Sequence, residues 1–288
     1  MNKLNVLFFF IFITLNCFSQ NYLPFEVNSK EYNHLKKANS YFTKGAYKNA
    51  ILEYDSCNSI TQYFPLEQYK KALAFYKIND SIGAKNIFYN AVKNGLTFFY
   101  HDYFRKSPLI KELSYNSQVY DLIKSRCYSD SLCLFPSLRE ELKTLHELDQ
   151  STRGGSNDSI PMSTQDSLNR IPLKQIINKI GWPGYNEVGR DGENAAFLIA
   201  QHSDNDLVFQ KQCLELMKME CLKGNVSKNY YSMIVDRYLV NNGEKQLFGS
   251  QVTYNEELKK FVPEPCKYPE ELNFLRKLYH LGNIEDYL

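Results

Sequence analysis

The sequence predicts a mainly α-helical chain built in two parts, and three observations carry that prediction. Small and aromatic residues between positions 38 and 91 recur at an interval of 34, which suits one helical hairpin per repeat. From 138 to 280 apolar residues return every three or four positions, the period of a helix face. Strand-like alternation is confined to 246–262 and breaks at Asn255-Glu256, as one small β-hairpin would. At 43% hydrophobic and 23% charged, the chain has the composition of a folded protein. A formal charge of +2 in 288 residues supplies no electrostatic attraction for nucleic acid. The 22 Tyr and 19 Phe leave two readings open: stacking surfaces for ligands, or bulky packing between helices.

In chain order, Leu4 to Leu15 is an apolar run behind Lys3, too short for a membrane span, which needs about 20 residues. Cys17-Phe18-Ser19 before Gln20 reads as a cleavage site. Residues 1–19 are therefore expected to be a signal peptide, and the mature protein to be secreted to the periplasm or outside the cell. A lipoprotein acylated at Cys17 is the alternative, disfavoured by Asn16 and Thr14 standing where small and aliphatic residues belong. No later stretch is long and apolar enough for a transmembrane helix. Six of the seven cysteines remain after cleavage, and Cys127 with Cys133 is the first pair to test for a disulfide. Cys213 and Cys221 lie eight apart on one helix, too far to bridge. Without a Cys-x-x-Cys pair, neither a metal nor a cofactor is expected.

The segment 20–126 carries the repeat. Ala38, Tyr41, Ala50, Tyr54 and Cys57 recur as Ala72, Phe75, Ala84, Phe88 and Ala91, keeping their size classes. Small residues suit close helix crossings and aromatics fill the space between hairpins. This pattern resembles the tetratricopeptide repeat over about 31–95, with a degenerate third unit running from Tyr100 to Ile123. The resemblance implies a protein-protein interaction surface, a concave face for a protein or peptide partner. Packing against its own chain is the competing reading. Tyr32, Tyr54, Tyr69 and Phe88, among other aromatics here, are assigned to packing.

A connector, 127–136, leads to a second domain over 137–288. Ser137-x-x-Glu140 reads as a capping box opening a helix with an apolar stripe at Leu138, Leu142 and Leu145. Asp149 continues that stripe, with Gln150 beside it and Arg153 one turn on. Arg153 to Asp166 reads as a loop, followed by a helix to Ile180 and the turn Gly181-Trp182-Pro183. A helix around Asn194 is apolar on every side yet ends in Gln201 and His202, with Asp204 beyond. Another, from Lys228 to Val240, embeds Asp236 and Arg237 among apolar residues. The hairpin region adds Gln246 and Gln251, and a final helix runs from about Pro269 to His280. Polar groups on buried faces need partners, since each left unpaired costs about 1–3 kcal/mol. They are expected to converge on one another.

Asp149-Gln150-x-x-Arg153, Gly181-Trp182-Pro183, Gln201-His202-x-Asp204, Asp236-Arg237 and Gln246-x-x-Gly249-Ser250-Gln251 together resemble an uncharacterised bacterial domain of unknown function. The likeness spans about 138–288, departing mildly at Ser203 and Ser250, and implies no activity. Two readings follow from the residues. In one, the second domain is a protein- or ligand-binding module, and Asp149, Gln150, Arg153, Gln201, Arg237, Gln246 and Gln251 hold a small polar or anionic ligand. In the alternative, the domain is a hydrolase or transferase. His202 is then the general acid or base, oriented by Asp236 or Asp149, while Arg153 and Arg237 bind an anionic group. For Asp236 and Arg237 a plain ion pair within the helix competes with either role. A Gly-rich phosphate loop, a Gly-x-Ser-x-Gly elbow and a His-Glu-x-x-His motif are all missing from the sequence.

Overall fold

The computed structural model of the chain describes residues 22–94, 96, 133–153 and 160–288. The leader, the third repeat unit and Cys127 lie outside the described residues. Within them the fold is mainly α, with one two-stranded antiparallel sheet, as the periodicity requires.

The amino-terminal part opens with the hairpin α1 (Lys30–Thr43) and α2 (Tyr47–Asp55), then a single turn α3 (Asn58–Thr61), then the hairpin α4 (Pro65–Lys77) and α5 (Ser81–Lys93). Side chains cap two of these helices: Ser29 accepts from the Tyr32 amide, and Asp80 from the Gly83 amide. The small residues of the recurrence are in the core. Ala38, Ala50, Ala72 and Ala84 are wholly buried, as are Tyr54 and Phe88. Tyr32 and Tyr69 are buried too, which assigns them to packing as the sequence suggested.

The carboxy-terminal part comprises α6 (Pro136–Arg153), α7 (Met162–Ile180), α8 (Tyr185–Gln201), α9 (Leu207–Leu222) and α10 (Lys228–Asn241). Strands β1 (Val252–Asn255) and β2 (Lys260–Pro263) follow, then a 3-10 turn Pro269–Glu271, α11 (Leu272–Leu278) and α12 (Ile284–Tyr287). Tyr254 pairs across the ladder with Phe261, and their rings meet at 5.4 Å. Two boundaries differ from expectation. Pro136 is already helical, so Ser137 lies inside the first turn rather than at the cap; proline suits that first position because its missing N–H has no helical acceptor. Helix α7 starts at Met162, which places Gln165 and Asp166 on a helix instead of in a loop. Helix α8 is kinked at Gly189, whose φ of 72° a side chain would strain.

One continuous apolar core joins the first hairpin to the carboxy-terminal helices, running from Leu23, Tyr32 and Phe64 through Leu142, Phe197 and Tyr231 to Tyr279. The second hairpin keeps a smaller core of its own around Tyr69, Phe88 and Val92. Polar ties reinforce the junction. Tyr32 Oη and Lys36 Nζ both donate to Glu271 at 2.8 Å, and Tyr231 Oη donates to the Tyr22 carbonyl at 2.9 Å. Cys57, Cys133, Cys213, Cys221 and Cys266 are free thiols, so no disulfide links the described cysteines. No helix among the described residues is long and apolar enough to cross a membrane.

Candidate functional site

Helix α6 buries the stripe Leu138, Leu142, Leu145, and the next residue on that face, Asp149, is fully buried with it. A lone carboxylate there would be costly, and three donors meet it. His202 Nδ1 donates to Oδ1 at 3.0 Å, Arg153 Nη1 to the same oxygen at 2.8 Å, and Gln150 Nε2 to Oδ2 at 2.7 Å. Burial alone would raise the Asp149 pKa. The His202 hydrogen bond and the charges around it outweigh burial and hold it below the usual carboxylate value.

Arg153 reaches onward. Its Nη2 donates to Asp166 Oδ1 at 2.7 Å, so one guanidinium joins the last turn of α6 to the first turn of α7. Donor atoms of Asp149, Asp166 and His202 lie within 4.8 Å of one another, a spacing that would suit a divalent cation. The Arg153 guanidinium donates to both carboxylates and already supplies positive charge between them.

A second constellation forms around Asp204, just past the end of α8. Arg237 grips it through Nε at 3.0 Å and Nη2 at 2.5 Å, a bidentate pair. Asn241 adds a donor at 2.7 Å and Gln210 one at 3.2 Å. Arg237 Nη1 then donates to Gln251 Oε1 at 3.1 Å, tying α10 to the base of the hairpin. The Asp204 hydrogen bond raises the Arg237 pKa, and Asp166 adds to it through space, so the two constellations are electrostatic neighbours. Burial pushes the Asp204 carboxyl up, but Arg237, Asn241 and Gln210 bring it below its ordinary value. Three carboxylates thus face two guanidinium groups. His202 keeps its side chain 17% exposed, and among the described residues its Nε2 has no hydrogen-bond partner.

Three sequence expectations change. Asp236 does not orient His202; that position belongs to Asp149. The Asp236 carboxylate accepts instead from the backbone amides of Leu247, Phe248 and Ser250, at 2.8, 3.0 and 2.9 Å. Burial pushes its pKa up to about 6 despite those amides. Nor do Asp236 and Arg237 pair with each other: successive helix positions point in different directions, one inward to the turn and one toward Asp204. Gln246, fully buried, directs its amide at backbone, donating to the carbonyls of Gln251 at 2.9 Å and Glu264 at 2.7 Å. It braces the hairpin. Gln201 is half-buried beside His202, and its backbone carbonyl, not its side chain, accepts from Gln210 Nε2 at 3.0 Å.

Two charged residues were missed as site members or clamps. Asp166 is hidden because the start of its helix, up to Asp166 itself, reads as loop, although Asp166, Asn169, Arg170 and Leu173 keep helical spacing. Arg276 is 1% exposed, an arginine in the core without a carboxylate touching it among the described residues. It faces the same turn as Asp236 from the other side, with Nη1 donating to the Phe248 carbonyl at 2.7 Å and Nε to that of Gly282 at 2.6 Å. Asp236 holds the amides of this turn and Arg276 its carbonyls.

Residues 136–288 match a family described as a family of unknown function (DUF6624), which covers more than half of the chain, and the protein belongs to that family. No curated protein and no solved structure matches the chain significantly.

Proposed function

With that membership as premise, we propose that residues 136–288 form a binding module for a small, neutral polar ligand centred on His202. The observation that supports this most is the Asp149–His202 pair, a buried carboxylate fixing Nδ1 while Nε2 stays open beside Gln201. Charge sharpens the ligand class. Each arginine already meets a carboxylate, Arg153 with Asp149 and Asp166, Arg237 with Asp204. An anion would have to compete with those aspartates, whereas hydroxyl or amide groups need only the free donors and acceptors. The anion-clamping role expected for the arginines therefore gives way to a positioning one. Thermal melts of the full protein with panels of polyols, sugars and amides test the reading. At least one class should raise the Tm of wild type and leave His202→Ala unmoved; a wild type that no class stabilises overturns it. Ligand at about 100 times its Kd would add about 2.7 kcal/mol.

A second reading, hydrolase or transferase, draws on the same pair. With Nδ1–H held by Asp149, the lone pair resides on Nε2, the atom that would take a proton from water or a hydroxyl. Turnover of the stabilising ligand, abolished in both His202→Ala and Asp149→Asn, is the expected result; unchanged turnover in either removes this role.

We also propose that the protein is exported, on the pattern of its first 19 residues, and that the hairpins of 31–95 act as tetratricopeptide-like repeats that dock a protein or peptide. The recurrence of Ala38, Ala50 and Tyr54 at Ala72, Ala84 and Phe88 supports the second point. Recovery of one partner by the full chain, lost when exposed residues of α1 and α4 are exchanged, is its test.

A further inference from the structure

Away from His202, a cleft of about 320 Å³ lies where the first hairpin meets α11. Its floor is apolar, formed by Phe274 and Leu278, and its walls carry Lys36, Lys44, Glu67 and Lys277. The volume is at the lower end of the range for small-molecule sites. Rigid contacts frame it: the Tyr32 and Phe274 rings meet edge to face at 5.4 Å, and Lys36 is anchored on Glu271 at 2.8 Å.

The charges around this cleft do not cancel. Glu67 is met by Lys70 at 2.6 Å and by Asn39 Nδ2 at 2.7 Å. Lys36 is met by Glu271. Lys44 and Lys277 have no acidic partner among the described residues, and they come from different ends of the sequence. Lys44 caps the carboxyl end of α1 and Lys277 sits in the last turn of α11. Each complements the negative end of its own helix. That local role does not require the two to line the same apolar-floored cleft. The helix ends also limit the guest: their partial negative charge opposes a dianion more than a monoanion, and lysine offers a point charge rather than the bidentate fork that favours phosphate.

We propose that this cleft is a second binding site, separate from the His202 constellation, for a free organic monoanion with an apolar body, a medium-chain carboxylate being the simplest form. The carboxylate lies between Lys44 and Lys277 and the chain covers Phe274 and Leu278.

The test is calorimetric titration of the full protein with octanoate, with octanol as its uncharged counterpart, and with vesicles of phosphatidylglycerol. Octanoate should bind, and octanol about tenfold more weakly or worse, as two lysine contacts allow. The double variant Lys44→Ala/Lys277→Ala should bind octanoate no better than octanol. Ser40→Trp, on an exposed wall position, should abolish binding of both by filling the space. Unliganded melts of these variants should match wild type, because every altered side chain is exposed. His202→Ala should bind octanoate as wild type does. The proposal is overturned if octanoate does not bind at millimolar concentration, if octanol binds as well, if the double variant keeps its affinity, or if His202→Ala loses it. Vesicles binding in preference to free octanoate would also sink it, since the guest would then be a lipid surface.

Discussion

Two polar regions of the carboxy-terminal domain stand side by side and are built to opposite ends. One is closed: Asp236 and Arg276 lie in the core and address mainly backbone, Asp236 the amides of the turn from Leu247 to Ser250 and Arg276 the carbonyls of Phe248 and Gly282. The other is open: Asp149, Arg153, Asp166, His202, Asp204 and Arg237 address one another, and all but Asp149 keep an edge toward solvent. The difference teaches that burial of a charged residue does not by itself mark a functional site. What separates the two is the partner. A side chain committed to backbone fixes a fold, while side chains that pair among themselves near the surface can exchange a partner for a ligand.

Breaking the closed region should have the largest effect. Asp236→Ala or Arg276→Met should each cost about 3–5 kcal/mol, since each leaves several buried backbone groups or a buried charge uncompensated. Urea unfolding measures this, and a loss under about 1 kcal/mol for either would erase the contrast. Next comes the turn itself. Gly249 has a φ of +67°, and a Cβ there would stand 3.3 Å from side-chain atoms of Ile284 and Leu272. Gly249→Ala should therefore cost about 1–3 kcal/mol, read as a lowered Tm.

In the open region Asp149→Asn should cost a similar about 1–3 kcal/mol through its lost charge-assisted bonds, but with a further signature. Ligand-induced stabilisation should disappear there and persist in Gly249→Ala at matched temperature below the midpoint. If both variants keep it, the open region is not the binding site.

A pH slope separates the regions as well, and its sign differs between them. Asp236 titrates near 6 in the folded protein against 3.8 unfolded, so between those values the folded state holds more protons. Its contribution to stability is greatest below 3.8 and falls as pH rises toward about 6, by at most about 1.4 kcal/mol per unit. Asp149 and Asp204 lie below their unfolded value, so their contribution is present above 3.8 and is lost as pH drops through their folded values. Denaturant melts from pH 3 to 7 should show this slope between 3.8 and 6 in wild type and a shallower one in Asp236→Asn, where buried Glu193, also raised by desolvation, still titrates.

Much of this was legible before any coordinates. The helical stripes of α6, α8 and α10 identified Asp149, His202 and Arg237 as polar residues on apolar faces, and these do find one another or near neighbours. Asp236 looked the same on that criterion, because a helix pattern reports which way a side chain points and not what it meets. Asp166 escaped notice since the polar residues before it extended a loop reading into the first turn of α7. Arg276 escaped because its partners are carbonyls of distant turns, and backbone acceptors carry no residue signature.

The sequence by itself determined the mainly helical fold, the small hairpin, and the set of polar residues that packing would have to accommodate, since all three follow from local periodicity and residue type. Tertiary structure alone decided which carboxylate faces which cation, that Asp149 rather than Asp236 holds His202, and that Lys44 and Lys277 share a cleft. Those pairings depend on how helices far apart in the chain are docked, and docking is set by the shape of a core to which every helix contributes at once.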